Sequence, residues 1–279
     1  MYSGFVSPHR VVNRLGIHQR FDMAAYRMIE RYLPVGAFPA LEDILHFEGY
    51  YGPDGLKVKS PGVNEPSHLY DPSTDIGQVP DHIQSHYEQM VERIKAGDQV
   101  RAAFEASWMA HYICDGLTPA HHWPLEAKLA EAAALVADED VQSGDSSKLA
   151  AIVKKHWTVW GAKGHMSTHF NFEMGVAFAL LLSPIRAAYS DYELARARQL
   201  GPVEYFKAEA RDVAGLELYQ QFYRDGWTAK IAAGVKNRVA PQAARAIGII
   251  WLLALLEAGQ ELAVAAEGTP AEAVAKHAA

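Results

Sequence analysis

Residues 108–124 read WMAHYICDGLTPAHHWP. Trp108, Met109, Tyr112 and Ile113 form an apolar run of helical character, and His111 and Asp115, four residues apart within it, project from one face one turn apart. Both side chains can then reach one metal ion. Gly116 ends this helix and Pro119 suits the first turn of the next, so His121 falls within two residues of the new start. The chain turns a corner between two helices and brings in a third ligand-type side chain. A histidine on an apolar helix face is also commonly a core residue bonded to a neighbour, so the stretch predicts helices first and a metal second.

Two further stretches strengthen the metal reading. HFNFE places His169 and Glu173 four apart on a segment that reads as helix, with His165 one turn upstream on the same face. NEPSHLYDP places His68 in a Pro-bounded loop. Cys114 is the one cysteine of the chain, so a metal would be held by imidazole and carboxylate, the donor set that suits catalytic zinc.

His68 followed by Tyr70, Asp71 and Pro72, then His111 and Tyr112 with Asp115, Pro119 and His121, then His169 with Glu173, resembles the zinc-dependent phospholipase C and single-strand-specific zinc nuclease superfamily. The resemblance covers roughly residues 18 to 175. It implies that His68, His111, Asp115 and Asp54 hold one zinc ion, that His121, His169 and Glu173 hold a second, and that His18 and Asp115 hold a third. Asp54 would also orient the attacking water or act as general base. It stands fourteen residues before His68, near the position of the family's carboxylate ligand, but a PDG turn is an equally ordinary reason for an aspartate, and Glu48 and Glu65 are the reserves. His18 opens the pattern HQRFDMAAYRMIERYL, where a polar helix cap is the competing reading. His122 competes with His121, and the ten-residue step from His111 favours His121. Secreted members of the family complete the third site with an N-terminal Trp. Here the chain begins Met1-Tyr2, which predicts a weak third site or one completed by a side chain such as His9.

The rest of the chain reads as one all-α domain over residues 1–279, with a long loop from Phe38 to Pro72 over a multinuclear zinc site. Helical patterns are expected at 18–33, 80–96, 98–116, 125–137, 148–157, from His165 through VAFALLL into the core, and at 186–199, 202–231 and 240–266. In 202–231 the charged residues are expected on a solvated face. The tail with His277 carries no signal. His82 and His86, four apart, lack a third partner and are expected at the surface or behind the ligands. The apolar run Ala246–Leu256 is too short to span a bilayer and reads as a core helix. No signal peptide precedes it, so the chain as written is expected in the cytoplasm, or outside the cell if a leader has been removed. The net charge of −7 argues against a broad basic surface that grips polyanions, and no stable nucleic-acid complex is expected.

The donor set also predicts a chemistry. Phosphate-ester hydrolysis needs a nucleophile at neutral pH and compensation of phosphoryl charge; a zinc-bound water with its pKa lowered to about 7, beside a second ion, supplies both. No nucleophile elbow, P-loop or dinucleotide fingerprint competes. The expected activity is hydrolysis of phosphate esters, phospholipase C-like, with two or three Zn2+ ions and a phospholipid head group or nucleotide as substrate. The alternatives are a single-strand-specific zinc nuclease and a non-enzymatic helical protein folded around structural zinc.

Overall fold

Helices make up nearly all the regular structure of the computed structural model, which describes residues 16–59, 68–122, 158, 161, 164–181 and 183–263. In chain order they are α1 (Ile17–Ile29), α2 (Leu41–His46), α3 (Pro53–Lys59), α4 (Val79–Lys95), α5 (Gln99–Gly116), α6 (Pro119–His122), α7 (His165–Leu181), α8 (Asp191–Leu200), α9 (Pro202–Ala214), α10 (Leu218–Asp225), α11 (Ala229–Gly234) and α12 (Ala240–Glu257). Between α3 and α4 a two-stranded antiparallel ribbon pairs β1 (Tyr70–Asp71) with β2 (Ile76–Gly77). The expected all-α, single multi-helix domain is what the chain forms.

The frame follows from apolar periodicity. Helix α12 is buried along nearly its whole length and packs against α1, α4, α5, α8 and α9. Trp251, fully buried on it, donates its indole N–H to the Ala106 carbonyl of α5 (3.1 Å), which pins the core helix to the helix carrying His111 and Asp115. Truncating such a buried aromatic costs about 3–5 kcal/mol. With α11 and a π turn at Val235–Val239, α12 makes a continuous run of 29 residues, long and apolar enough to cross a membrane, yet 83% of its most apolar window is buried within the protein. It is a core helix.

Helices α4 and α5 form an antiparallel hairpin. Gly97 takes the left-handed conformation (φ 70°) that closes α4, and the Asp98 carboxylate caps α5 by accepting from Arg101 N (3.1 Å). Helix α7 is seated against α6, α10, α11 and the π turn. Arg20 of α1 donates to the carbonyls of Leu180 and, at 2.8 Å, Ser183, so α1 is tied to the far end of α7.

Several boundaries differ from the sequence reading. The expected long loop of 38–72 contains α2, α3 and a 3-10 turn at Gly49–Tyr51, so Asp54 stands in the first turn of a helix. The expected helix 202–231 is three helices: α9 ends before Gly215 and the chain turns at Glu217 (φ 51°), and Gly226 (φ 71°) ends α10. The helix expected from 186 starts at Asp191, where Ser190 caps it, and the one expected to reach 266 stops at Glu257. Helix α7 enters the core only on one side: Val176 and Leu180 are buried, while Phe178 and Leu181 face solvent. Glu209 is not on a solvated face; it is buried between Arg196 (2.6 Å) and Arg245 (3.0 Å). The expectations for 125–137, 148–157, Glu65, His277 and the N-terminus with His9 lie outside the described residues.

Candidate metal centre

The last turn of α5 carries the centre. Its helical spacing aims His111 and Asp115 the same way, and both are buried, with His111 Nε2 3.3 Å from Asp115 Oδ2. Two buried polar groups on an apolar helix are tolerated only if their surroundings satisfy them. The chain brings in those surroundings from five other segments.

On one side, His68 enters from the residue pair before β1, with Nδ1 2.6 Å from Asp115 Oδ2 and 3.2 Å from His111 Nε2. Asp54, from the first turn of α3, places Oδ1 3.9 Å from His111 Nε2. On another side, His18 of α1 lies with Nε2 3.4 Å from Asp115 Oδ1, its ring stacked on His111 at 4.0 Å between centroids. On a third, the corner at Gly116–Pro119 places His121 of α6 with Nε2 3.8 Å from Asp115 Oδ1 and 2.9 Å from Glu173 Oε1. Helix α7 supplies Glu173 and, one turn earlier, His169, whose Nε2 is 3.2 Å from the same carboxylate oxygen.

Among the described residues, three groups therefore could hold a metal ion, each with its donor atoms within 4.8 Å of one another: His18, His111 and Asp115; Asp54, His68 and His111; His121, His169 and Glu173. These are the eight residues singled out from the sequence. Asp115 turns Oδ2 toward His68 and His111 and Oδ1 toward His18 and His121, so one carboxylate faces two donor groups. The donor chemistry fits a divalent ion: imidazole nitrogens and carboxylate oxygens converge with no lysine or arginine among them.

The imidazoles are oriented from behind. His111 Nδ1 donates to Glu48 Oε1 (2.9 Å), which leaves Nε2 as the donor atom facing the centre. His121 Nδ1 likewise donates to the His68 carbonyl (2.7 Å). Glu48, a reserve ligand in the sequence reading, is thus a positioning group; it is fully buried and also accepts from Gly49 N (3.1 Å). Glu65, the other reserve, lies outside the described residues.

Electrostatics follow this packing. Burial opposes charge on His111, but Glu48 and Asp115 outweigh it and raise the imidazole to about 10. Burial works against Asp54 too, and His111 and His18 overcome it, holding the carboxyl at about 2. Asp115 and Glu173 are held well below the usual range against the same burial, Asp115 by His121, His111 and His18 and Glu173 by its bonds to His121 and His169. Behind the ligands, burial and then the neighbouring Glu48 charge raise Asp22 well above the carboxylate range, while Glu48, bonded to His111, is lowered.

Asp22 was missed in the sequence, yet a signal was there: it follows His18 by four residues on α1, the spacing of His111 to Asp115 and of His169 to Glu173. The other histidines among the described residues stay out of the three groups. His122 Nε2 donates to the Gly116 carbonyl (2.5 Å), and burial, partly offset by that carbonyl, lowers it to about 4. His82 stacks on Tyr112 at 4.5 Å and His86 Nδ1 meets Glu105 Oε2 at 2.6 Å, so both are partly buried in the α4–α5 interface, not on the open surface. His165 starts α7 and belongs to none of the groups.

Comparisons with family models, with curated proteins and with solved structures gave no match. The functional reading therefore rests on these donors and their geometry.

Proposed function

We propose that this chain is a zinc-dependent hydrolase of phosphate esters, phospholipase C-like, with two or three zinc ions held by the three donor groups. The observation that carries the proposal is Asp115, whose two oxygens face separate groups of imidazoles. A carboxylate placed so can bridge ions a few Å apart. Divalent ions held there would supply a nucleophile at neutral pH and compensate the charge of a phosphoryl group. The identity of the ion as zinc is supported by the balance of imidazole and carboxylate donors and by the lone cysteine, Cys114, being buried outside all three groups.

The protein's own groups then have distinct parts. Glu48 and the His68 carbonyl fix the tautomers of His111 and His121, so that each directs Nε2 inward. Asp54 has the most open of the ligand-type side chains, 22% exposed, against 14% or less for the others with a stated exposure. That puts it at the solvent side, where it can orient an attacking water. Held at about 2, it is a weak proton acceptor, which favours orientation over general-base action.

The test is an assay of the zinc-loaded protein, in parallel, on phosphatidylcholine, single-stranded DNA and a chromogenic phosphodiester. Chelator-sensitive hydrolysis of phosphatidylcholine and of the chromogenic diester is expected. Cleavage of DNA without the lipid would move the assignment to the nuclease branch, and a zinc-loaded protein inert on all three would refute a hydrolase.

A further inference from the structure

Helix α7 carries His169 and Glu173 in its first half and ends at Leu181, eight residues beyond Glu173, which is about 12 Å of helical rise. Past that end lies a second, unrelated feature. The chain there forms a pocket of about 440 Å³ with the π turn, lined by Ser183, Pro184, Arg186, Lys236, Asn237 and Pro241. Among the described residues the lining holds two cations, an amide and a hydroxyl, and no acid.

The cations are uncommitted. Arg196 and Arg245 are taken up by Glu209, and Lys207 by Asp75, whereas Arg186 and Lys236 have no ion pair or hydrogen bond among the described residues. A third cation stands close: the Arg20 guanidinium donates to the Ser183 carbonyl at 2.8 Å, fixing that wall of the pocket and adding positive charge behind it. The backbone is specialised at the same place. The π turn interrupts what is otherwise one long helix and presents Lys236, Asn237 and Arg238 consecutively to solvent. Such one-turn widenings cost regular hydrogen bonding and are frequent at functional sites.

In a chain of net charge −7, a pocket whose described lining carries two cations and no acid is a local reversal of sign. A guanidinium, an ammonium and an amide lining one pocket suit the oxygens of a phosphate group, with Arg able to bind two of them. We propose that this pocket is a binding site for a phosphate-bearing anion, separate from the metal centre. Phe178 and Leu181, 70% and 57% exposed on the last turns of α7, lead up to it, so the phosphate could be free or borne by a lipid.

The experiment follows the backbone amides of 183–186 and 235–239 and the Asn237 side-chain amide by NMR in the zinc-loaded protein. The protein is titrated with inorganic phosphate, with vesicles of a neutral glycolipid containing phosphatidic acid, and with vesicles of the neutral glycolipid alone as control. The comparison protein is Arg186→Ala/Lys236→Ala, whose substituted side chains are exposed. Saturable shifts at these amides with inorganic phosphate, weakened about tenfold or more in the variant, support a free-phosphate site. A response only to the acidic vesicles, lost in the variant, supports a lipid-borne phosphate. No response to either probe, or the same response in both proteins, overturns the proposal.

Discussion

Replacing Glu48 by Gln isolates the orienting role assigned to it, because the change keeps shape and an acceptor for the His111 N–H while removing the charge. Glu48 is fully buried, 2.9 Å from His111 Nδ1 and 3.1 Å from Gly49 N, so little else should move. Loss of a carboxylate behind a ligating imidazole typically lowers metal affinity by about 10–100-fold, or roughly 1.4–2.7 kcal/mol. Glu48→Ala should go further, since the buried His111 N–H then lacks an acceptor, at about 1–3 kcal/mol of stability. Asp22→Asn is the matched control: Asp22 belongs to none of the three donor groups, and burial and then the Glu48 charge push its carboxyl upward, so an amide there should change affinity far less. Zinc affinity is read by competition with a chromophoric chelator, and folding by thermal melting. If Glu48→Gln binds zinc as tightly as the parent protein while Asp115→Asn does not, the orienting role is wrong.

The remaining predictions concern charge, bridging and packing. His111 is raised from 6.5 to about 10 in the metal-free protein, so its stabilising contribution is full below pH 6.5 and is lost as pH rises through about 10. Zinc needs the imidazole without its Nε2 proton, so binding at pH 7 should release about one proton from His111; calorimetry in buffers of differing ionisation heat measures it, and zero release contradicts the assignment. Asp115→Asn should abolish hydrolysis and reduce bound metal far more than His82→Ala, which removes only a ring stacked on Tyr112; equal losses in a side-by-side assay would mean the centre is misplaced. Gly175→Ala would place a methyl 2.3 Å from the Trp227 ring, itself packed against Phe172 and Phe222, and overpacking of this kind costs about 1–3 kcal/mol. Its thermal midpoint should fall measurably, and an unchanged midpoint would contradict the packing of α7.

Legibility in the sequence tracked locality. His111 with Asp115 and His169 with Glu173 could be read because helical spacing alone aims each pair. His68 and Asp54 come from segments remote in sequence: His68 was offered only as a histidine in a Pro-bounded loop, and Asp54 only by the family resemblance. The pairing of Glu48 with His111 spans 63 residues and left no local trace beyond a glutamate in a turn-rich run. Asp22 did leave a trace, in its four-residue step from His18, but its apolar neighbours made it look like a surface position on an amphipathic helix. The fold class was legible from period alone, whereas the breaks at Gly215 and Gly226 were masked by apolar spacing that stays in phase across them. Buried Glu209 shows the converse: a charge reads as solvated until the two arginines that pair with it are seen in three dimensions.

If the cluster around Asp115 holds at least two divalent ions, anomalous diffraction at the zinc edge, from crystals grown with zinc, will locate them. One peak is expected among Asp54, His68, His111 and Asp115 and another among His121, His169 and Glu173. Fully occupied zinc elsewhere, with no peak within reach of Asp115, would contradict it.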